Sequence, residues 1–281
     1  MDSDALQTDE PAVLDGATID QILTHGDLEL DGRLVSASNA SFLGRVTLDA
    51  ISLGCVYKPV AGERPLWDFP EGTLAGREVA ARLVSEAGGF GVVPPTVLRD
   101  GRFGTGMCQL WVHVDPDMDG AAGSGLVDVV PTDFDEPGWI AVLEAEDHRD
   151  RPVLLVHADD DRLRDMAVLD VVINNADRKG GHVLVDLQGS VWGCDHGVCF
   201  HEEPKLRTVL WGWAGERLRE RDVAMLTELT DRCRTGLDDV LEQHVSRTEV
   251  DAMAYRIDRL LSARRMPRPG DRWPVIPWPA F

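Results

Sequence analysis

Apolar positions near the start of the chain are spaced first as in a helix and then as in strands. The segment TIDQILTHG predicts a short helix that is capped by Thr18 and ends at Gly26. Three segments with alternating apolar residues follow, LELDGRLV, SFLGRVTLDA and ISLGCVYKPV, and a loop of small residues over 36–41 separates the first two. We therefore predict three strands of a small antiparallel sheet.

A longer helix and a hairpin come next in the sequence. Residues Thr73–Ala87 carry apolar side chains at helical spacing among good helix formers, and Gly88 and Gly89 end the pattern. The segments PTVLRDG and RFGTGMCQLWVHV then alternate as the two strands of a hairpin. These patterns predict an N-terminal lobe of roughly five strands and a helix over residues 18–114, preceded by a mobile acidic leader over residues 1–17.

The pattern changes after residue 114. Residues 115–125 are rich in Gly, Asp and Ala, which indicates a flexible crossing between two lobes. DRLRDMAVLDVVINN then predicts a helix with an apolar face, and HVLVDLQGSVWGCDHG predicts a hairpin with a Gln-Gly turn. Helical patterns run from Glu216 to about Arg264, and a Pro- and Trp-rich tail follows with enough apolar residues to pack along the surface. We assign residues 115–281 to a second, mainly helical lobe.

Composition and charge narrow the classes of function. The chain has 281 residues, of which 43% are hydrophobic, and a formal net charge of −21. That charge repels nucleic-acid phosphates and anionic lipid surfaces, and no apolar run approaches the ~18 residues that a membrane span requires. The acidic N-terminus lacks the features of a secretory signal, and the five cysteines form no C-x-x-C pair. We expect a cytoplasmic protein with reduced cysteines, no nucleic-acid partner and no stable membrane insertion.

Lysine is scarce in this sequence. It occurs at Lys58, Lys179 and Lys205, whereas arginine supplies every other basic side chain of the Lys and Arg total. Two of these lysines fall in the two most motif-like stretches, VYKPV and NNADRKGG. A compact ammonium group suits a site in which a planar guanidinium does not fit.

The stretch LDVVINNADRKGGHVLVD places polar residues between a predicted helix and a predicted strand. Asp177 lies in this loop and Asp195 follows the hairpin eighteen residues later, so we expect both carboxylates at one cleft. Phosphoryl transfer requires one carboxylate that orients or deprotonates the attacking hydroxyl, and another that holds Mg²⁺ against the nucleotide phosphates. Lys58 on a strand and Glu78 on the following helix complete a kinase-like phosphate site in chain order. Glu78 equally fits an exposed i,i+4 pair with Arg82.

Three motifs resemble those of phosphatidylinositol 3- and 4-kinase-related proteins. LDVVINNADRKGGHVLV is similar to a D-x-x-x-x-N-x-D-R catalytic loop, VWGCDHGVCF to the metal-binding D-x-G turn, and VYKPV to the strand that carries the nucleotide lysine. The resemblance extends over about residues 30–215 and is strongest to the bacterial relatives of type II phosphatidylinositol 4-kinases, with HipA-like kinases as more distant kin. It implies an α+β, two-lobed protein-kinase-like fold with a small antiparallel-sheet N-lobe and a mainly helical C-lobe.

The resemblance also implies roles for particular residues. Asp177 would be the catalytic base or would orient the hydroxyl, and Asp195 would hold the metal ion. The other residues of the implied site are Asn175 and Lys179 of the catalytic loop, Lys58 and Glu78 as the ion pair at the nucleotide phosphates, Ser38, Asn39 and Ser41 of the phosphate-covering loop, and Gln109, Trp111 and Val112 of the adenine-binding connection between the lobes.

One position departs from the pattern of these kinases. The residue five positions after the catalytic Asp is typically an Asn that provides a second metal ligand, whereas this chain has His182. Mg²⁺ prefers oxygen ligands. Three interpretations stay open: His182 leaves the metal to Asp195 and a nearby Asn, it favours Mn²⁺, or it weakens catalysis.

Three hypotheses for the function follow. The first, which we favour, is a phosphotransferase that uses ATP with Mg²⁺, or with Mn²⁺ as an alternative, and acts on a hydroxyl of a protein or a small molecule. The second is a phosphatidylinositol kinase, although the chain has no basic amphipathic helix that would hold it at an anionic membrane. The third is a pseudokinase or nucleotide-binding regulator, which the presence of His182 suggests.

Overall fold

The computed structural model describes residues 14–34, 39–64, 66, 69, 74–115, 124–270 and 274–281. The first thirteen residues, Ser38, Thr73 and most of the predicted crossing between the lobes therefore lie outside the described residues.

The first helix, α1, is Gly16–His25 and begins before the predicted cap. Asp15 caps it, because a carboxylate oxygen of Asp15 accepts a hydrogen bond from the backbone N–H of Thr18 at 2.7 Å. The prediction that Thr18 is the cap is wrong, since an aspartate one turn earlier already accepts an amide of the first turn. The helix ends at Gly26 as predicted, and the Gly26 N–H donates to the carbonyl of Ile22.

Five antiparallel strands form the sheet that follows, in the order β1-β2-β3-β5-β4. Their bounds are β1 Asp27–Arg33, β2 Phe42–Leu48, β3 Ile51–Pro59, β4 Thr96–Gly101 and β5 Gly104–Leu110. Asp49 and Ala50 form the turn between β2 and β3 with φ values of 47° and 68°, the left-handed conformation that two-residue hairpin turns adopt. The five strands agree with those predicted from the alternation of apolar residues.

Different helices cover the two faces of this sheet. Cys55 of β3 and Cys108 of β5 pack against α1. Met107 of β5 packs against the second helix, α2, which is Leu74–Ala87, and the cross-strand partner of Met107 is Lys58. Because side chains alternate along a strand and cross-strand partners share a face, Lys58 points toward α2.

A second antiparallel sheet begins at Val127, and the sequence patterns did not predict it. Its strands are β6 Val127–Pro131, β7 Trp139–Glu146 and β8 Pro152–Ala158, in the order β6-β8-β7. The β7 segment WIAVLEAE contains Leu, Ala and Glu, which favour helices, so its extended form depends on pairing with β8 along its length. Val127 and Leu155 join the main hydrophobic core.

The remaining elements are mainly helical. They are α3 Asp161–Ile173, β9 Val183–Val185, β10 Val191–Gly193, α4 Glu220–Arg232, α5 Asp238–Leu241 and α6 Arg247–Ala263. The long helical pattern predicted from Glu216 is interrupted at Cys233–Leu237, where Gly236 has a φ of 118°, and Ser246 caps α6. Helix α3 lies at the centre of the core: most of its residues from Leu163 to Ile173 are buried, whereas Asp161 and Arg162 at its start are exposed.

The described part of the Pro- and Trp-rich tail lies against the helical half. The Val275 carbonyl accepts hydrogen bonds from the Thr208 N–H at 3.1 Å and from Trp211 Nε1 at 2.8 Å. The Ala280 carbonyl accepts from the Gly180 N–H at 2.8 Å, in the loop that follows α3. Among the helices that the structure describes, none is long and apolar enough to cross a membrane.

Candidate active site

A cavity of about 820 Å³ lies between the five-stranded sheet and the loops around α3 and β10. Its volume is within the range of small-molecule sites, roughly 300–1,000 Å³. The predicted site residues that line it are Asn39, Ser41, Lys58, Glu78, Gln109, Trp111, Val112, Asp177, His182 and Asp195. Asn175 and Lys179 do not line the cavity but lie next to it, and Ser38 is outside the described residues.

Lys58 connects both walls of the cavity. Its Nζ lies 2.8 Å from Glu78 Oε1 and 2.6 Å from Asp195 Oδ1. Burial lowers the pKa of Lys58, but the two carboxylates outweigh that effect and the net pKa lies above the ordinary value, so the ammonium is charged at neutral pH. The Lys58 charge in turn is the main cause that lowers the pKa of Asp195.

Glu78 faces the site and not the solvent. Its side chain is 2% exposed, and Glu78 Oε2 accepts the backbone N–H of His196 at 2.8 Å. Arg82 instead pairs with Glu86, with 2.5 Å between Arg82 Nη1 and Glu86 Oε2. The alternative interpretation of Glu78 as an exposed i,i+4 partner of Arg82 is therefore wrong.

Asp195 occupies an unusual backbone conformation in the turn after β10. Its φ is 62°, and the left-handed region costs a residue with a Cβ about 1–2 kcal/mol. Such outliers occur at functional sites where the surrounding structure holds them. Gly197 lets this turn approach α2 closely, because a Cβ there would lie 3.2 Å from the Cβ of Leu74.

A buried ion pair fixes the predicted catalytic loop. Arg178 and Asp170 are both fully buried, and Arg178 Nε and Nη2 donate to the Asp170 carboxylate at 2.9–3.2 Å. Arg178 Nη1 donates to the Cys194 carbonyl at 3.1 Å. Arg178 Nη2 is also 2.6 Å from His196 Nε2. One guanidinium thus joins α3, the catalytic loop and the turn that carries Asp195.

The buried side chain of Asn175 also holds this loop in place. Its Nδ2 donates to Asp170 Oδ1 at 2.9 Å, and its Oδ1 accepts the Asp177 N–H at 3.0 Å. Both functional groups of the buried Asn175 side chain are therefore engaged, and the structure gives the residue a positioning role. The interpretation that a nearby Asn shares the metal ion with Asp195 stays a prediction.

Asp170 and Arg178 are not among the site residues predicted from the sequence. Both residues belong to the D-x-x-x-x-N-x-D-R motif, so the signal was present. A buried pair of this kind has the same sequence signature as an exposed one, and only the packing of α3 shows that both side chains are excluded from water.

Asp177 projects into the cavity from this rigid loop. Its side chain is 32% exposed, and Asp177 Oδ2 lies 3.3 Å from Lys179 Nζ. Burial raises the pKa of Asp177, while the Lys179 ammonium opposes the shift. A carboxylate that has a raised pKa and is exposed at a cavity is suited to accept a proton.

His182 lies beside Asp195 in the opposite wall from Lys58. Its Nε2 is 3.5 Å from Asp195 Oδ2. Burial, together with nearby cations, lowers the pKa of His182 to about 4 against the opposing effect of Asp195. The imidazole is therefore neutral at pH 7, the state in which a histidine nitrogen can coordinate a metal ion.

The donor set fits a divalent cation that arrives with a nucleotide. No group of three or more His, Cys, Asp or Glu side chains in the described ranges could hold a metal ion by itself. Mg²⁺ in phosphoryl-transfer sites is commonly held by one or two carboxylates together with substrate phosphates. Asp195, whose side chain is 53% exposed, supplies such a carboxylate, and His182 adds a nitrogen donor.

The predicted adenine-binding segment forms the apolar wall of the cavity. Val112, Leu184 and Val198 all line it. Trp111 packs on Gly54, where a Cβ would lie 3.3 Å from the Trp111 Cβ. Gln109 also lines the cavity, but its Nε2 donates to Thr96 Oγ1 at 2.8 Å. An apolar wall beside a cluster of charges suits a planar base joined to phosphates.

The predicted phosphate-covering loop is tied to the residues after β3. Asn39 Oδ1 accepts the Arg64 N–H at 2.9 Å, and the Ala40 N–H donates to the Gly62 carbonyl at 3.2 Å. Asn39 and Ser41 remain at the cavity wall. The Ala40 amide is already engaged, so it is not a free donor for a phosphate.

Comparison with known proteins identifies a relative of this chain. No protein-family model matches it. It is 51% identical over 263 residues to protein Rv2133c of Mycobacterium tuberculosis, a match that covers 92% of this chain and 94% of that protein. The chain belongs to the same family as Rv2133c.

Solved kinase structures are similar to this chain. The crystal structure of the Golgi casein kinase matches with a TM-score of 0.54 and 13% identity, covering 88% of this chain and 74% of that one. The Helicobacter pylori proinflammatory kinase CtkA matches with a TM-score of 0.41 and 10% identity, covering 86% and 94%. The Golgi casein kinase match confirms the predicted α+β, kinase-like fold. The specific resemblance to phosphatidylinositol kinases stays a prediction.

Proposed function

We propose that the protein is an ATP-dependent phosphotransferase that acts on a hydroxyl group of a protein or a small molecule. The observation that carries the proposal is the position of Lys58 Nζ between Glu78 and Asp195, within hydrogen-bonding distance of both. These three residues come from a strand, a helix and a distant turn, and they meet at a cavity that Asp177 also lines. A kinase-like phosphate site requires this combination of charges.

Each residue has a defined part in the proposed reaction. The acceptor hydroxyl oxygen attacks the γ-phosphorus of ATP, the bond from that phosphorus to the β–γ bridging oxygen breaks, and ADP leaves. Asp177 takes the proton of the hydroxyl. Lys58 binds the α- and β-phosphates, and Lys179 lies close enough to Asp177 to offset negative charge on the transferred group. Mg²⁺ or Mn²⁺ bound at Asp195 and His182 would neutralise charge on the nucleotide phosphates.

A second candidate function is supported by one observation. His182 stands where an Asn would be expected, and as a neutral imidazole it can donate a hydrogen bond to Asp195 and compete with a metal ion. A site of that kind could bind nucleotide without turnover, as a pseudokinase does. The third hypothesis, a lipid kinase, gains no specific contact among the residues that the structure describes, and the net charge of −21 opposes binding to anionic lipid.

Labelled ATP separates these functions in one experiment. The purified protein is incubated with γ-labelled ATP and either Mg²⁺ or Mn²⁺, with and without phosphoinositide vesicles, and Asp177→Asn serves as the control. Label transfer to protein or small-molecule hydroxyls, or hydrolysis of ATP, that disappears in Asp177→Asn supports the proposal. Transfer that depends on vesicles identifies a lipid kinase, and ATP binding without turnover identifies a pseudokinase. Absence of ATP binding with either metal contradicts both kinase and pseudokinase.

A further inference from the structure

Two neighbouring residues of α2 carry opposite charges and are both buried. Arg77 is 1% exposed and Glu78 is 2% exposed. Consecutive residues of a helix point about 100° apart, so the two side chains reach different partners. Glu78 binds Lys58, as described above, whereas Arg77 faces the helical half of the molecule.

Arg77 contacts two elements of that half. Its Nη1 donates to the carbonyl of Cys199 at 2.7 Å and lies 2.6 Å from Oε1 of Glu249, in the first turn of α6. Glu249 is itself fixed, because its Oε2 accepts from both the backbone N–H and the hydroxyl of Ser246 at 2.9 and 3.0 Å. The guanidinium also stacks on Phe69, with 4.9 Å to the ring centroid.

The two charged residues of α2 hold both ends of one short turn. Glu78 accepts the N–H of His196, directly after Asp195, and Arg77 donates to the carbonyl of Cys199. The turn is closed internally by a hydrogen bond from Cys199 Sγ to the His196 carbonyl at 2.7 Å. A rotation or shift of α2 that moves Glu78 away from Lys58 would therefore break the contacts of Arg77 as well.

Resting on the proposed function, we infer that Arg77 is a positioning residue whose ion pair with Glu249 holds α2 in the place where Glu78 meets Lys58. The nucleotide site is then assembled in the isolated chain, without a partner protein or a phosphorylated segment to move α2. Because the pair is buried, loss of one partner leaves an uncompensated charge, whereas loss of both charges is tolerated far better.

The test uses single and double substitutions. Arg77→Met leaves the Glu249 carboxylate buried without its cation, so the melting temperature falls. In Arg77→Met/Glu249→Gln neither member of the pair keeps a charge that has lost its partner, and Gln at this position still completes the cap of α6, so most of that loss is recovered. If Arg77 positions Glu78, kcat/KM for ATP in the double variant stays about 10–100-fold below wild type although stability returns. Recovery of kcat/KM together with stability would show a structural role alone and overturn the inference.

A second measurement does not depend on activity. Hydrogen exchange of the His196 amide, measured without nucleotide, reports whether Glu78 still holds the turn. We expect faster exchange in the double variant and unchanged exchange in Arg82→Met, which removes another arginine of α2, one that pairs with the exposed Glu86. Unchanged exchange in the double variant contradicts the inference. A wild type that neither binds ATP nor transfers phosphate contradicts the proposed function, while the exchange result still decides the role of Arg77.

Discussion

Lys58 joins three parts of the chain through one ammonium group. Its partners Glu78 and Asp195 are 20 and 137 residues away in the sequence, and both carboxylates lie within 2.8 Å. Asp195 keeps about half of its side chain exposed to the cavity. Lys58 can exchange part of its contact with Asp195 for contact with a nucleotide phosphate, which is why we propose that Lys58 binds the nucleotide.

Substitution of Lys58 tests that assignment. We expect Lys58→Ala to weaken ATP binding by about 10–100-fold, since a hydrogen bond to a charged group contributes roughly 1.5–3 kcal/mol. Lys205, which lies over the ring of Phe69 at 5.3 Å, provides the comparison. Lys205→Ala should lower the melting temperature and leave ATP affinity nearly unchanged. Isothermal titration with ATP and Mg²⁺ measures the ATP affinity of both variants. Equal losses of affinity in the two variants would be incompatible with the proposed nucleotide site.

Lys179 has a different expected effect because it lies beside Asp177 and not on the cavity wall. Lys179→Ala should lower kcat by about 10²–10³-fold, as removal of one transition-state donor does, with little change in ATP affinity. Because the Lys179 ammonium holds the pKa of Asp177 down against burial, its loss should also move the acidic limb of the pH–rate profile to higher pH. Loss of ATP binding in this variant would instead place Lys179 on the nucleotide.

Single residues were predictable where their chemistry was distinctive. Lys58, Asp177 and Asp195 stand out as a scarce lysine and two aspartates at the ends of predicted elements. Asp170 and Arg178 did not stand out, because their role comes from complete burial within the core around α3. Burial of a polar pair is a property of the packed molecule and not of the local sequence.

At the level of elements, regular alternation was sufficient for the first sheet and insufficient for the second. In β2 and β3 buried positions alternate with less buried ones, and α1 and α2 each cover one face of the sheet. In β7 the residues facing solvent are Glu and Ala, so the segment has no clear period of two. Its strand conformation comes from pairing with β8, which is a tertiary interaction.

The tail contacts the predicted catalytic loop. The sequence patterns do not predict which residues form this contact. A Cβ placed on Gly180 would clash with the ring of Phe281, whereas a Cβ on the adjacent Gly181 meets no atom within 4 Å.

This contrast gives a matched pair of variants. Gly180→Ala should destabilise the protein by about 1–3 kcal/mol, as overpacking does, and lower the melting temperature by roughly 2–4 °C for each kcal/mol. Gly181→Ala should leave the melting temperature nearly unchanged. Scanning calorimetry of both variants measures the difference, and equal melting temperatures would mean that the tail does not pack on this loop in solution.

At the scale of the whole molecule, a kinase-like fold occurs here with 13% identity to the Golgi casein kinase. A fold can host many functions, so the function must be argued from the site. The two sides of the cavity come from the five-stranded sheet with α2 and from the segment between α3 and Val198. Of the proposed site residues, Lys58 and Glu78 come from the first side, whereas Asp177 and Asp195 both come from the second.

Asp195 and Asp177 give the most direct test, because the proposed mechanism assigns metal binding to the first and proton transfer to the second. At an ATP concentration ~100 times the dissociation constant, binding stabilises the native state by about 2.7 kcal/mol, a shift of several degrees in melting temperature. We predict that Asp195→Asn loses most of the metal-dependent shift, whereas Asp177→Asn keeps it and loses about 10²–10⁴-fold in turnover. A full metal-dependent shift in Asp195→Asn, or wild-type turnover in Asp177→Asn, would contradict the assignment.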